Sequence, residues 1–348
     1  MPHHKNKTMK LHLLHFILLM SQLFAWEIAT EFTKAEAAKN RRLILMHCQI
    51  NSNRVASVVS IHFVTQPKPD RRFGGQGPPL PVSYCQNKFD NVLASANIPS
   101  TEEQSSSNLE ILINRGLCFT YSGQYKEAEK IYQKLINLYP KNPAGYYHLA
   151  ALYQTIMRNY RVRDFEPHFE KFIDLAIEIA EKSLENDSNN AVGYMYLGNA
   201  RGHRGVHRIN QQKFFRGFVD GLKGASYLEK SIELDPTFYD AYYGAGIYNY
   251  WRSAKSKCFW FLPFIGDNRQ KGINTINLSI ERGKHSEIEG KYALTPIYYN
   301  EKNYEKAHQL SQQLCQLFPD NPASMYMKGL IEEKQGKWKE AQQTFQQL

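Results

Sequence analysis

Cysteine is scarce: Cys48, Cys85, Cys118, Cys258 and Cys315 are five in 348 residues, an odd number, far apart and without a CxxC pair. That spacing reads as neither a disulfide framework nor a thiol-based zinc site. Cys118 and Cys315 fall inside helical patterns, where a buried inert thiol is expected. Catalytic signatures are missing too. There is no glycine-rich phosphate loop, no HExxH and no GxSxG. Carboxylates such as Glu229, Glu233 and Asp235 are scattered as on solvated helix surfaces, so neither enzymatic activity nor a cofactor is expected. No apolar run reaches the roughly 20 residues of a membrane-spanning helix.

The net charge of +10 is also missing from most of the chain. Residues 1–100 hold 12 Lys+Arg and 5 Asp+Glu, leaving a net of only +3 for the remainder. Basicity therefore belongs to the amino-terminal part, and nucleic acid is not an expected partner.

Residues 1–29 read as a signal-like or anchor segment. Lys5, Lys7 and Lys10 precede the apolar run Leu11 to Trp26, the order of a secretory signal. Ala25 and Ala29 are separated by Trp26, Glu27 and Ile28, a poor cleavage site, so an uncleaved membrane attachment is the alternative. Leu45-Met46-His47-Cys48 lacks the small residue of a lipoprotein signal. The expectation is an exported or membrane-tethered protein, or a cytoplasmic one if translation starts further along. Residues 30–107, with QPKPDRRFGGQGPPLP and PSTEEQSSS, read as a flexible linker.

What is abundant is tyrosine, with 22 residues, and internal repetition from Leu109 onward. Over residues 109–142, Gly116, Phe119, Ala128, Tyr132 and Pro140 fall where two antiparallel helices need small contacts, aromatic filling and a helix stop. The last unit, from Pro322, repeats the pattern with Gly329, Gly336, Trp338, Ala341 and Phe345, and the unit at 287–321 carries Ala307 and Pro319. These segments resemble the tetratricopeptide repeat. The resemblance implies an all-α, right-handed superhelical solenoid of helix hairpins over residues 108–348.

Three longer units lie between, 143–190, 191–238 and 239–286, each 48 residues against the standard 34. A hairpin keeps its register on lengthening only if both arms grow, so about two extra turns per helix are expected. Glu166-Pro167 and Pro263 are expected to break the tips of the first and third of these.

The resemblance further implies a concave groove lined by the first helices, used to bind a protein or peptide. Its groove-facing places carry Tyr121, Tyr147, Asn199, His203, Tyr243, Ile247, Tyr250, Trp251, Lys291, Tyr298, Tyr299 and Tyr326. Packing between hairpins is the competing reading for each ring. A second candidate is a basic tip, Arg201, Arg204, His207, Arg208, Lys213 and Arg216, suited to an acidic peptide, a phosphate or a lipid headgroup. His203 and His207 stand four apart, as zinc ligands can, but nothing nearby completes a shell. Two alternatives to a scaffold stay open. A small-ligand or lipid-binding protein predicts an enclosed apolar cavity near Trp251, Trp260 and Tyr298. An RNA-binding array predicts a continuous basic stripe. Because the last unit stops within its second helix, its apolar edge is a candidate surface for self-association.

Overall fold

The structure is a computed structural model, and it describes residues 101–255 and 266–348. The signal-like segment and nearly all of the linker lie outside the described residues, as does Pro263. Every described residue belongs to one compact unit.

Within the described residues the chain forms twelve helices and no strand. They pair as six consecutive hairpins: α1 (Thr101–Tyr121) with α2 (Tyr125–Leu138), α3 (Pro143–Tyr160) with α4 (Glu166–Asn186), α5 (Ala191–Asn210) with α6 (Phe214–Leu234), α7 (Asp240–Lys255) with α8 (Arg269–Arg282), α9 (Ser286–Asn300) with α10 (Tyr304–Leu317), and α11 (Pro322–Lys334) with α12 (Trp338–Gln346). The helix α1 starts at Thr101, within the expected linker.

Asparagine punctuates the array. The side chains of Asn142 and Asn321 accept from Ala144 N (2.9 Å) and Ala323 N (3.0 Å), each followed by Pro at the first helical position. Asn190 caps α5 through Gly193 N at 2.8 Å. Each such cap contributes about 1 kcal/mol.

The lengthening is visible in hairpins two and three, whose helices run 18, 21, 20 and 21 residues against 14 for α2. Hairpin four departs from that pattern, because α7 and α8 have 16 and 14 residues. Its excess lies between Lys255 and Arg269. Glu166-Pro167 does not break its hairpin either. Proline lacks an N–H that the first helical turn leaves unbonded in any case, so the pair starts α4.

Close helix approach depends on glycine at equivalent places. In hairpin one a Cβ on Gly116 would collide with the ring of Tyr132, which is buried with its hydroxyl 3.2 Å from Thr120 Oγ1. In hairpin three Gly198 and Gly224 lie back to back, a Cβ on either meeting the other's carbonyl oxygen at 2.7–2.8 Å.

One cysteine expectation is overturned. Cys118 is disulfide-bonded rather than a free thiol, and it is half-buried. Pairing depends on spatial approach of two Cβ atoms, which sequence spacing does not reveal. Cys315 is free and half-buried, and burial pushes its thiol up to about 11.

Candidate functional site

The array curves until its ends meet. Lys284 Nζ pairs with Glu110 Oε1 at 2.7 Å, and His285 Nδ1 lies 2.9 Å from Asn114 Oδ1, joining α1 to the start of hairpin five. Tyr121 stacks on Tyr292 with centroids 5.2 Å apart and leans on Phe318 at 5.8 Å. Asn321 Nδ2 donates to Tyr121 O at 2.9 Å. Ile288, Leu314 and Phe318 are the buried residues of this seam. The expected open groove is therefore closed at its amino-terminal end, and Tyr121 helps to close it.

The interior that results is lined by aromatic and polar groups from α1, α3, α5, α7 and α9. Tyr147 is 4 % exposed, and its hydroxyl meets His203 Nε2 at 3.2 Å. His203 Nδ1 meets Gln154 Oε1 at 2.6 Å, and Gln154 donates to His203 O at 3.2 Å. Around Tyr147 gather His148 (5.0 Å between centroids), His203 (5.4 Å) and Tyr196 (5.5 Å). His148 in turn stacks on Tyr132 at 5.5 Å. Removal from water disfavours the imidazolium. Burial accordingly lowers His148 to about 3, with His285 and His203 adding repulsion, and lowers His203 to about 4, helped by Arg158.

Glu289 is carried by α9 and is half-buried. Burial raises it to about 7, a hydrogen bond from Tyr121 acts against that, and Asp240 repels its charge. Tyr121, Tyr132, Tyr147, Tyr196 and Tyr243 all lie within electrostatic reach of this carboxylate, and burial holds each phenol well above its ordinary value. Tyr243 and Glu289 are half-buried, so this part of the interior stays accessible. Arg158, in the last turn of α3, is exposed and acts electrostatically on Tyr243, Tyr292 and His203. Asp240 is fixed differently. Its carboxylate accepts from the backbone N–H groups of Lys284, His285 and Ser286 and from the Ser286 hydroxyl, which ties α7 to the turn before α9.

The other expected groove residues divide. Tyr250 is fully buried between hairpins four and five, donating to Glu301 Oε1 at 2.8 Å and accepting from Asn300 Nδ2 at 2.6 Å, so it packs the core and does not face the groove. Ile247, Trp251 and Tyr298 pack against the same cluster. Asn199 is 8 % exposed and wedges against Gly244 of the next hairpin. Lys291 pairs with Glu287 at 3.0 Å, Tyr299 lies against Tyr304, and Tyr326 is an exposed ring under Arg161. Spacing had marked neither Glu289, Tyr196, His148 nor Arg158. These four fall off the places that face the groove in an unclosed superhelix.

The basic stretch also changes meaning. Arg201, Arg204 and Arg208 lie on one face of α5 and converge on Asp220 of α6, whose side chain is 3 % exposed: Arg204 Nη2 reaches it at 2.9 Å, Arg201 Nη1 at 3.5 Å, and Arg208 donates as well. Arg201 also holds Glu181 at 2.6 Å, and Arg204 holds Asp174 at 2.7 Å. His207 is turned under Phe169, 4.5 Å between centroids, and meets Gln211 Nε2 at 2.9 Å. The arginines are thus engaged in internal pairs, and only Lys213 and Arg216 stand exposed. His203 and His207 serve different neighbours and do not converge. At the far end of the array a polar pocket of about 350 Å³ lies between α10, α11 and α12, walled by His308, Lys328, Glu332 and Thr344 among others.

Two stretches match family models described as tetratricopeptide repeat, residues 109–142 and residues 323–348. Among solved structures, a thermophilic TPR protein of Thermus thermophilus is similar at 14% identity, covering 64% of this chain and 98% of its own, with a TM-score of 0.41. MamA is similar at 21% identity, 52% and 90% coverage and a TM-score of 0.36. YrrB, described as a TPR protein with an unusual peptide-binding site, is similar at 15% identity, 66% and 98% coverage and a TM-score of 0.30. Among curated proteins none matches. Residues 109–142 and 323–348 are thus tetratricopeptide repeats, standing at the two ends of six consecutive helix hairpins.

Proposed function

We propose that this protein is a non-catalytic scaffold that binds an extended peptide segment of a partner in the interior lined by Tyr147, His203, Tyr243 and Glu289. The observation that carries the reading is the convergence of aromatic and polar groups from successive first helices: the Tyr147 hydroxyl 3.2 Å from His203 Nε2, His148 and Tyr196 against the same ring, and half-buried Tyr243 and Glu289 on the next two first helices. Groups that can bond but are only partly used, set among flat rings, are what a peptide backbone and its side chains require. A photo-crosslinking amino acid at position 243 tests this. It should label one peptide segment of a partner, whereas labelling at exposed Phe215 should be unrelated. Label only on lipid or small molecules would favour the alternative reading, and no label above background would refute both.

The array is proposed to work outside the cytoplasm, with residues 11–26 as signal or anchor. The disulfide at Cys118 supports that placement, because such bonds persist in oxidising compartments. Fractionation with mass spectrometry of the mature amino terminus tests it, and an intact Met1 in a soluble cytoplasmic fraction would overturn it.

A further inference from the structure

We propose that the tip of hairpin three docks the array on an anionic lipid surface, with Phe215, Phe218 and Leu222 entering the bilayer interface.

Apolar exposure is concentrated at this tip. Val206 and Ile209 on α5 and Phe215, Phe218 and Leu222 on α6 are all exposed, the two phenylalanines by 64 % and 58 %. Positions 215, 218 and 222 recur at helical spacing, so they form one stripe along α6. Ile209 joins the stripe from α5, because its side chain lies against Gly217: a Cβ there would come within 2.6 Å of Ile209 Cγ1. One turn further from the tip, α7 takes over the same side of α6. The Tyr248 ring lies 3.9 Å from the place of a Cβ on Gly221, and Ala225 is buried. Toward the tip from that contact the rings stand in water. Single exposed apolar residues are ordinary, but a contiguous group of five marks a surface that something covers.

The charge around the stripe names the occupant. From Gly205 to Leu228 the sequence holds Arg208, Lys213, Arg216 and Lys223, and Asp220 is its one acidic residue. Asp220 is buried and already shared by Arg201, Arg204 and Arg208, so it offers nothing outward. Lys213, Arg216 and Lys223 are exposed, and among the described residues none of them pairs with a carboxylate. Lys213 bonds to the neutral Gln211 side chain at 2.8 Å. Exposed rings flanked by cations, with no exposed acid among them, fit a surface that is apolar beneath and anionic above. The long basic stems reach phosphate while the rings enter the acyl boundary. The core of a protein interface is instead depleted of charge. Among the described residues no helix is long and apolar enough to cross a membrane, so the contact proposed is with the surface.

The test places a fluorescent amino acid, whose emission moves to the blue out of water, at position 218 of the full chain. A second protein carries it at exposed Leu138, in the last turn of α2. Vesicles one-third phosphatidylglycerol should shift the emission at 218, and bromine on their acyl chains should quench it, while emission at 138 stays unchanged. The reading is local, so insertion of residues 11–26 in the same vesicle does not imitate it. Phosphatidylcholine vesicles should bind roughly 100-fold more weakly, about five-fold for each of the three cations. Lys213→Gln/Arg216→Gln/Lys223→Gln should bring binding to anionic vesicles down to that level, and about 0.5 M NaCl should do most of the same. Phe215→Ser/Leu222→Ser should weaken binding to either vesicle roughly 100-fold, about ten-fold per side chain. All these positions are exposed, so far-ultraviolet circular dichroism should match the parent. Emission at 218 that no vesicle moves would overturn the proposal. Emission already blue without vesicles, and unquenched by brominated lipid, would show the stripe covered by protein: by a second copy if it varies with concentration, by the chain's own residues, such as 256–265, if it does not. Either result would overturn lipid docking, and an equal response to neutral and anionic vesicles would overturn the anionic surface.

Discussion

Removing the carboxylate of Asp220 should destabilise the array more than any other single change in its polar groups. Asp220 is 3 % exposed and receives Arg201, Arg204 and Arg208, themselves 13 %, 17 % and 29 % exposed at the side chain. Taking one partner from a buried ionic group costs about 3–5 kcal/mol, because the charges left behind keep their desolvation without their counter-charge. Two of the arginines retain a second carboxylate, Glu181 or Asp174, and Arg208 can turn toward water. Asp220→Ala is therefore expected near the lower end, about 3 kcal/mol, which for a unit of this size lowers Tm by roughly 6–12 °C. Asp220→Asn, which keeps an acceptor, should cost about 2 kcal/mol. The assay is urea unfolding followed by far-ultraviolet circular dichroism, in low salt and in 1 M NaCl. Exposed pairs are screened by salt and buried ones much less, so the loss should persist in high salt. A loss below about 0.5 kcal/mol, or one that disappears in 1 M NaCl, would refute the cluster as a structural ion group. It would return the three arginines to the role of an anion-binding face.

Four further outcomes are expected. Gly116→Ala should cost about 2–3 kcal/mol in urea unfolding, since the buried ring of Tyr132 has nowhere to move, while Gly329→Ala should cost less because half-buried Phe345 can swing aside. Tyr250→Phe should lose about 1 kcal/mol and Tyr250→Ala about 3–5 kcal/mol, both read as stability and neither as a selective loss of partner binding. His148 and His203 have folded values below the ordinary 6.5, so the unfolded chain takes up more protons between that value and about 3–4, and stability falls as pH drops below 6.5. His148→Phe should flatten that limb in urea midpoints taken from about pH 7 down to pH 4.5. Glu289 acts with the opposite sign. Its folded value of about 7 lies above the ordinary 4.5, so its contribution weakens the fold as pH rises through that window, and Glu289→Gln should be more stable than the parent at pH 8 but not at pH 4.

The hairpins were legible because each repeat must satisfy the same local physics. Gly116 and Gly329 sit where a ring crosses a helix, and Asn-Pro at 142–143 and 321–322 starts a helix in both units. The lengthened arms of hairpins two and three followed from counting residues. What the spacing could not convey was curvature. Places assigned to a groove assume a gently wound superhelix, whereas here α1 meets hairpin five, so Tyr121 becomes a seam residue and Glu289 an interior one. Tyr250 was misplaced for a related reason: a large ring on a first helix can turn inward between hairpins as readily as toward the axis, and its hydroxyl found partners there. The arginines of α5 read as a free basic surface because Asp220, their shared counter-charge, is 12–19 residues away on the opposing helix.

The seam alters how the array should come apart. An ordinary linear array contacts only its neighbours, so it can fray from either end one hairpin at a time. Here an ion pair, a ring stack and side-chain hydrogen bonds, one of them to the Tyr121 carbonyl, link residues 171–200 positions apart in sequence. Contacts of that reach raise the mean contact separation, which slows folding, and they couple the fate of the two ends. Loss of hairpin five or six would unfasten α1 as well, and unfolding should take place as one transition rather than as a succession of partial openings. A partner threaded through the interior would then be released only when that fastening opens, so its residence time would be set by the stability of the seam and not by its own contacts alone.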